Sequence, residues 1–444
     1  MKYILTLTLV SYCVLSSWAQ ADLSLEQAIA TGLKNNYQIQ IAKKRIDAAK
    51  VNNTMGAAGA YPRVTAGFNS NNSFLVVNNP TSFLDGNTLA GLGLTPTVDV
   101  SWTLFDNYKV RINKERLEQL EAQSVGNSDL VIENSINAII LAYYRAVIEQ
   151  GKIDVFQQVM DLSRDRYDFE VAKQELGTGS TFQVVQVKDA FLSDSTNLLR
   201  QQNAFRAAVR NLNIAMGEED ATDKSYNLTD ELTLDQQVYN KATLRQKMTE
   251  NNRTLRNQML NQELLKTNVK LQESNQWYMP KVAVSTGLNE ALSQNFLWND
   301  ALPDIVSAGG RQFTYYLNFS VSFNIYNGGA YKRAIQNATI EKEIGTLNIA
   351  NQKRTLFGQL DNQLATYQDQ LNVIALNDQV ITNAQQNLNI SEERYKRTLI
   401  NSFDYRNVQL AYLRAALTRL ESIYNLKVLE TELTRLTGGL LNVE

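Results

Sequence analysis

The sequence predicts a mostly α protein with a membrane β-barrel portion, built as an internal two-fold repeat of long coiled-coil helices and paired strands. Three observations carry this reading. All five prolines (Pro62, Pro80, Pro96, Pro280, Pro303) fall into two windows, near 60–106 and 277–326. Outside those windows apolar residues recur at heptad spacing, and inside them they alternate.

The chain begins with Lys2, an apolar run from Tyr3 to Leu15 and the small residues Ser17 and Ala19. That order is a secretory signal peptide over 1–19, with cleavage before Gln20 or two residues later. The first repeat then covers 20–217, with a helix at 22–59, strands at 62–77 and 94–106, and helices at 107–175 and 181–217. A linker at 218–231 leads to the second repeat, 232–444. Its expected elements are a helix at 232–276, strands at 281–290 and 311–326, and helices at 327–397 and 402–437.

The helices follow from proline and periodicity together. A proline inside a helix costs about 3 kcal/mol, so the long proline-free stretches can remain unbroken. Val184, Phe191, Leu198, Phe205 and Leu212 recur every seven residues, and Ile132, Ile136, Ile139 and Tyr143 step by four, three and four. Leu356, Leu360, Leu364, Tyr367, Leu371 and Ile374 repeat the rhythm, as do Leu410, Leu413, Leu417 and Leu420. Narrow apolar stripes between faces of Asn, Gln, Lys, Glu and Asp are coiled-coil seams. A helix over 107–175 would span roughly 100 Å at 1.5 Å per residue. The shorter helices have about half that length, so two of them can lie end to end along a long one.

The strands follow from a period of two. From Phe313 to Ile325 the odd positions are apolar and the even ones mostly polar; Val98, Val100, Trp102 and Leu104 alternate with Thr97, Asp99, Ser101 and Thr103. Strands with one apolar and one polar face suit a barrel between lipid and an aqueous lumen. They equally suit a hairpin packed on a soluble core. Trp102, Trp277 and Trp298 all lie in or beside the windows, as interfacial girdles do, and favour the membrane. With a mean hydropathy of −0.30 and no later run of about 18 apolar residues, no helix of the mature chain is expected to cross a bilayer.

The repeat is visible in the letters. Leu23-Ser24-Leu25-Glu26-Gln27 matches Leu232-Thr233-Leu234-Asp235-Gln236, Asn35-Asn36 matches Asn251-Asn252, and Tyr61-Pro62-Arg63-Val64 matches Met279-Pro280-Lys281-Val282. Val100 to Asp106 matches Val321 to Asn327 at an offset of 221, which also carries Gly217 to Gly438.

Composition removes most chemistry. The chain has no histidine, and its one cysteine, Cys13, lies in the signal peptide. Histidine- or thiol-based nucleophiles and ordinary zinc sites are excluded, and no phosphate loop is present. With 43 basic and 45 acidic residues there is no basic field for nucleic acid. No enzyme activity, cofactor or metal site is expected.

In order, spacing and duplication these motifs resemble the TolC-type outer-membrane efflux proteins over essentially the whole mature chain. The resemblance implies a homotrimer, each subunit giving four strands to one shared barrel and its helices to a tunnel. It implies the outer membrane as location, with a long periplasmic extension. Its partners would be outer-membrane lipid, a periplasmic adaptor (membrane fusion) protein and an inner-membrane pump of RND, ABC or MFS type. The implied role is the passive exit duct of a tripartite efflux or type I secretion system. The alternative is a coiled-coil structural or adhesive surface protein without a channel.

The resemblance also assigns roles to two turns. Gly177, Thr178, Gly179 and Ser180, with Thr398, Leu399, Ile400, Asn401 and Ser402, would form the periplasmic tips that meet the adaptor. Asp404, Asn407, Gln183, Tyr395 and Arg394 would form the gate. Thr398 departs from the family's frequent glycine, and Asn407 stands where another acid is common. Asp404 has a second reading, as a carboxylate placed to suit a helix N-terminus. Tyr395 and Arg394 are either a latch across neighbouring helices or the end of an apolar stripe.

Overall fold

The computed structural model describes residues 21–442 except 79, 82–85, 220–223, 231–236, 276–279 and 299–303. The signal-peptide assignment and Trp277 lie outside the described residues. Two compact units emerge: residues 1–42, 129–253 and 354–444 form one, and 43–128 with 254–353 the other. The two long helices, α3 (Lys109–Glu175) and α7 (Ala330–Lys396), have 67 residues each and contribute to both.

The second unit holds a four-stranded antiparallel sheet in the order β2 (Arg63–Val76), β3 (Thr88–Asp106), β5 (Lys281–Trp298), β6 (Val306–Ser322). β3 and β5 run well beyond the expected 94–106 and 281–290, and β6 occupies 306–322 rather than 311–326. The added length includes glycines that read as loop but sit in the ladder. A Cβ on Gly93 would lie 3.0 Å from the Asn71 carbonyl oxygen, and one on Gly309 2.7 Å from Gln294 Oε1. Glycine in a strand marks such close approach. Pro96 lies inside β3, paired with Phe68 of β2, while the β3–β5 ladder skips Thr95 and Pro96, the local gap expected beside a residue without an N–H.

Register separates the two faces. Ala66, Val98, Leu288 and Tyr315 stand in one row; Asp99, Gly287 and Tyr316 stand in the next, on the opposite face. The first face carries Val64, Phe68, Trp102, Leu94, Leu292 and the ladder Phe313, Tyr315, Leu317, Phe319, Val321, all exposed. The second carries Thr65, Thr97, Ser101, Ser285, Asn289, Asn318 and Ser320. Helices of the same unit are joined by polar contacts: Gln262 on α6 (Arg253–Glu273) donates to the Lys342 carbonyl at 3.0 Å, and Lys270 pairs with Glu115 at 2.8 Å.

In the first unit β1 (Ala21–Leu23) pairs in parallel with β4 (Tyr226–Leu228). β4 lies inside the stretch expected to be a plain linker, 218–231. The helix expected at 22–59 is instead β1, α1 (Leu25–Asn35) and α2 (Tyr37–Asn52), and the described part of 232–276 is α5 (Lys241–Asn251) and α6. Both breaks fall on an asparagine. Asn36 accepts from Gln38 N at 2.8 Å, capping α2, and donates its amide to the Ala215 carbonyl at 2.8 Å. Asn252 donates to the Leu436 carbonyl at 3.0 Å. The side-chain amide satisfies the end of another helix, α4 (Thr181–Met216) or α8 (Ser402–Leu436), in exchange for local helical continuity.

The core here joins Leu23, Ala28, Ile139, Tyr143, Leu212, Met216 and Leu228. One window of α3 is long and apolar enough to cross a membrane, contrary to the expectation for the mature helices, but half of it is buried. Ile136, Ile139 and Tyr143 of α3 are buried core residues, which accounts for its apolarity. On α8 the buried line is Tyr405, Tyr412, Ala416 and Ile423, whereas Leu410, Leu413, Leu417 and Leu420 are half-buried. Ala415 and Ala416 are buried on this line.

Candidate functional site

The two turns named from the sequence close the helix pairs α3–α4 and α7–α8 in the first unit. α3 ends on Gly177, whose φ is 76°. Gly177 N donates to the Gln174 carbonyl and Thr178 N to the Lys173 carbonyl, both at 2.9 Å. This is the Schellman closure, which needs a left-handed residue just past the helix. α7 ends the same way on Thr398, with φ 57°: Thr398 N donates to the Tyr395 carbonyl and Leu399 N to the Arg394 carbonyl, both at 2.8 Å. Thr398 therefore adopts the glycine conformation with a β-branched side chain, at a cost of about 1–2 kcal/mol.

Each following helix is capped. Ser180 Oγ accepts from Gln183 N at 3.3 Å while Ser180 N donates back to Gln183 Oε1 at 3.4 Å, a capping box. Asn401 Oδ1 accepts from Asp404 N at 2.8 Å. Gln183 thus has a local role in the first tip. Asp404 lies exposed in the first turn of α8, where its carboxylate also suits the helix dipole. Asn407 is exposed one turn further along, and Arg394 is exposed on α7.

Tyr395 is not at the surface. It is 4% exposed, packs on Phe169 and Tyr405 at centroid distances of 5.3 and 5.0 Å, and donates its hydroxyl to Glu170 Oε1 at 2.6 Å. Burial and then the Glu170 carboxylate push its pKa up. Tyr405 is pushed up to about 12 by burial, with Glu392 adding to it. The structure therefore joins Tyr395 to α3 and leaves Arg394, Asp404 and Asn407 outside.

Behind the tips lies a charged cluster that the sequence does not announce. Arg406 of α8 grips Asp194 of α4 with two bonds of 2.6 and 2.7 Å, and Ser163 of α3 donates to Asp194 at 2.5 Å. Buried Arg166 reaches the Ser402 carbonyl at 3.5 Å; burial and the neighbouring Arg406 guanidinium push its pKa down. Arg166 Nε and Glu170 Oε2 are buried without hydrogen-bond partners. A cavity of about 130 Å³ opens beside Arg166, Phe169, Tyr395 and Tyr405. Asp194 and Arg406 are 212 residues apart, beyond the reach of any local motif.

Folds of this kind are found among outer-membrane channels. The Campylobacter jejuni CmeC outer membrane channel aligns with a TM-score of 0.72 at 15% identity, covering 94% of this chain and 85% of its own. The outer membrane protein VceC from Vibrio cholerae gives 0.69 at 14% identity, covering 94% and 96%. In sequence, the toluene efflux pump outer membrane protein TtgC of Pseudomonas putida is 22% identical over 397 residues, covering 87% of this chain and 77% of TtgC. Residues 244–439 match the family model described as outer membrane efflux protein. The fold is that of the CmeC channel and of VceC. The sequence likeness to outer membrane efflux proteins thus covers 244–439 by the family model and most of the chain, at 22% identity, by TtgC.

Proposed function

We propose that this protein is the outer-membrane exit duct of a tripartite efflux or type I secretion system, working passively. The observation that carries the reading is the sheet of β2, β3, β5 and β6. Its apolar face is exposed from Phe313 to Val321 and across to Phe68, while its other face is polar. In water that face would cost about 25 cal/mol for each Å² of apolar surface left uncovered; in hydrocarbon it costs nothing. A coiled-coil adhesin has no use for such a sheet.

The sheet also has two bare edges, β2 and β6, of 14 and 17 residues. Unpaired backbone groups are not tolerated in a bilayer, so spanning strands must close into a barrel. Three copies, with β2 of one against β6 of the next, close a barrel of twelve strands. The bare edges support closure by neighbouring copies, and three is the number that the resemblance to TolC-type proteins implies; the internal repeat supplies each subunit with two hairpins and two pairs of long helices.

The tips around Gly177–Ser180 and Thr398–Ser402 would meet the adaptor and the pump, of RND, ABC or MFS type. Asp404, Asn407 and Arg394, exposed beside them, would line the gate, with Gln183 holding the neighbouring turn and Tyr395 tying α7 to α3. Single-channel recording of the purified mature protein in planar bilayers, with its native mass, tests the reading. Discrete conductance steps from a trimer are expected; a water-soluble monomer without conductance would overturn it.

A further inference from the structure

On the polar face of the sheet, neutral side chains surround a single carboxylate. Among the described residues of that face, the other charged side chains, Arg63, Asp106 and Lys281, lie at the end where the strands join the helices. Glu290 and Arg311 pair with each other on the apolar face. Asp99 alone lies within the body of the strands, flanked by Thr97, Ser101 and, across the ladder, Thr65.

Asp99 is also held. Tyr316 reaches over the intervening strand and donates its hydroxyl to Asp99 Oδ1 at 2.5 Å. The residue beneath that reach is Gly287, which pairs with Asp99 on one side and Tyr316 on the other. A Cβ there would stand 2.5 Å from Asp99 Oδ1 and 2.8 Å from Tyr316 Oη. Three strands therefore contribute one residue each to a fixed carboxylate, and the glycine is required for it. A carboxylate pinned by one oxygen to a phenol keeps its charge in a defined place on the wall.

We propose that Asp99, positioned by Tyr316 across Gly287, is a cation-selecting residue of the barrel lumen, three copies forming one ring of negative charge. The proposal rests on the channel reading, in which the polar face lines the lumen. Rings of acidic side chains favour cations in channels by this means. The Debye length is about 10 Å at 0.1 M salt, so the ring acts most strongly in dilute solution.

The test is the reversal potential of single channels under a potassium chloride gradient with about 0.1 M on the dilute side. Asp99→Asn removes the charge while its amide oxygen can still accept from Tyr316, and should lower the permeability ratio of potassium to chloride on the order of two-fold. Should that variant fail to reach the native trimer mass, Asp99→Ser removes the charge with a side chain like its neighbours. Glu290→Gln, on the outer face, should leave the ratio unchanged. An unchanged ratio in a conducting Asp99 variant overturns the proposal, as does an equal fall in Glu290→Gln. Absence of channels from the unaltered protein rejects the channel reading itself, a separate result.

Discussion

Tyr395, one residue before the end of α7, donates its hydroxyl to Glu170, near the end of α3, at 2.6 Å, although 225 residues separate them. The bond ties the two long helices at their tips. Among the described residues Glu170 otherwise receives only Lys173, at 3.2 Å, and its second oxygen is buried without a partner. Tyr395→Phe keeps the ring packing and removes this tie. Leaving a buried acceptor short of its donor costs about 1–3 kcal/mol. Faster hydrogen exchange at residues 390–400 and a larger single-channel conductance are expected; if neither changes, Tyr395 does not restrain the tip.

Thr398 holds a conformation that suits glycine. Thr398→Gly should stabilise the turn by about 1 kcal/mol, the relief of left-handed strain being partly offset by glycine's greater backbone freedom. Amide exchange at residues 398 and 399 reports the change directly. Faster exchange in the variant would mean that the threonine side chain itself supports the turn.

Gly177 and Gly217 share a φ of 76° but differ in surroundings. A Cβ on Gly177 meets nothing within 4 Å, whereas one on Gly217 would stand 2.8 Å from the backbone of Asn35 and Asn36. Gly177→Ala should cost about 1 kcal/mol, from the backbone alone. Gly217→Ala must also displace the junction of α1 and α2, and should lower the unfolding midpoint clearly more. Equal midpoints would show that the junction yields at no cost.

These positions show what was legible in the letters. The offset of 221 that joins the two halves carries Gly217 to Gly438, and each ends a helix in the left-handed region. It also carries Gly177 to Thr398, and Asn107-Tyr108 to Gly328-Gly329, and every one of these has a positive φ. Where the residue is glycine, the turn can be read from sequence; where Tyr108 or Thr398 adopts the same conformation, nothing local announces it. The helix breaks at Asn36 and Asn252 were hidden for another reason. Asparagine is tolerated in helices, and only a distant carbonyl, of Ala215 or Leu436, makes it end one. The alternation of the strands was plain, but their full length was not, because paired glycines such as Gly93 and Gly309 look like loop. The cluster of Asp194, Arg406 and Arg166 required the fold itself.

Alkali should expose the buried phenols in sequence. Tyr239 and Tyr405 are pushed up to about 12 from an ordinary value of 10.0, chiefly by burial. Because folding raises these values, the stability they contribute is complete below pH 10 and is lost as pH climbs from 10 through about 12. Tyrosinate absorbance should therefore rise in two stages, the second of them from these buried rings. The second stage should coincide with loss of helical circular dichroism. A single stage near 10 would place these rings in water.

The two bare edges of the sheet have a consequence for inheritance. In the proposed trimer a wall that no single chain can close would be completed by its neighbours, so a faulty copy would disable the sound ones assembled with it. If damaged and intact chains are made in equal amounts and mix freely in threes, only about one assembly in eight is wholly intact. Substitutions that leave β2 and β6 able to pair but ruin the tip should therefore be dominant, while those that prevent edge pairing should be recessive.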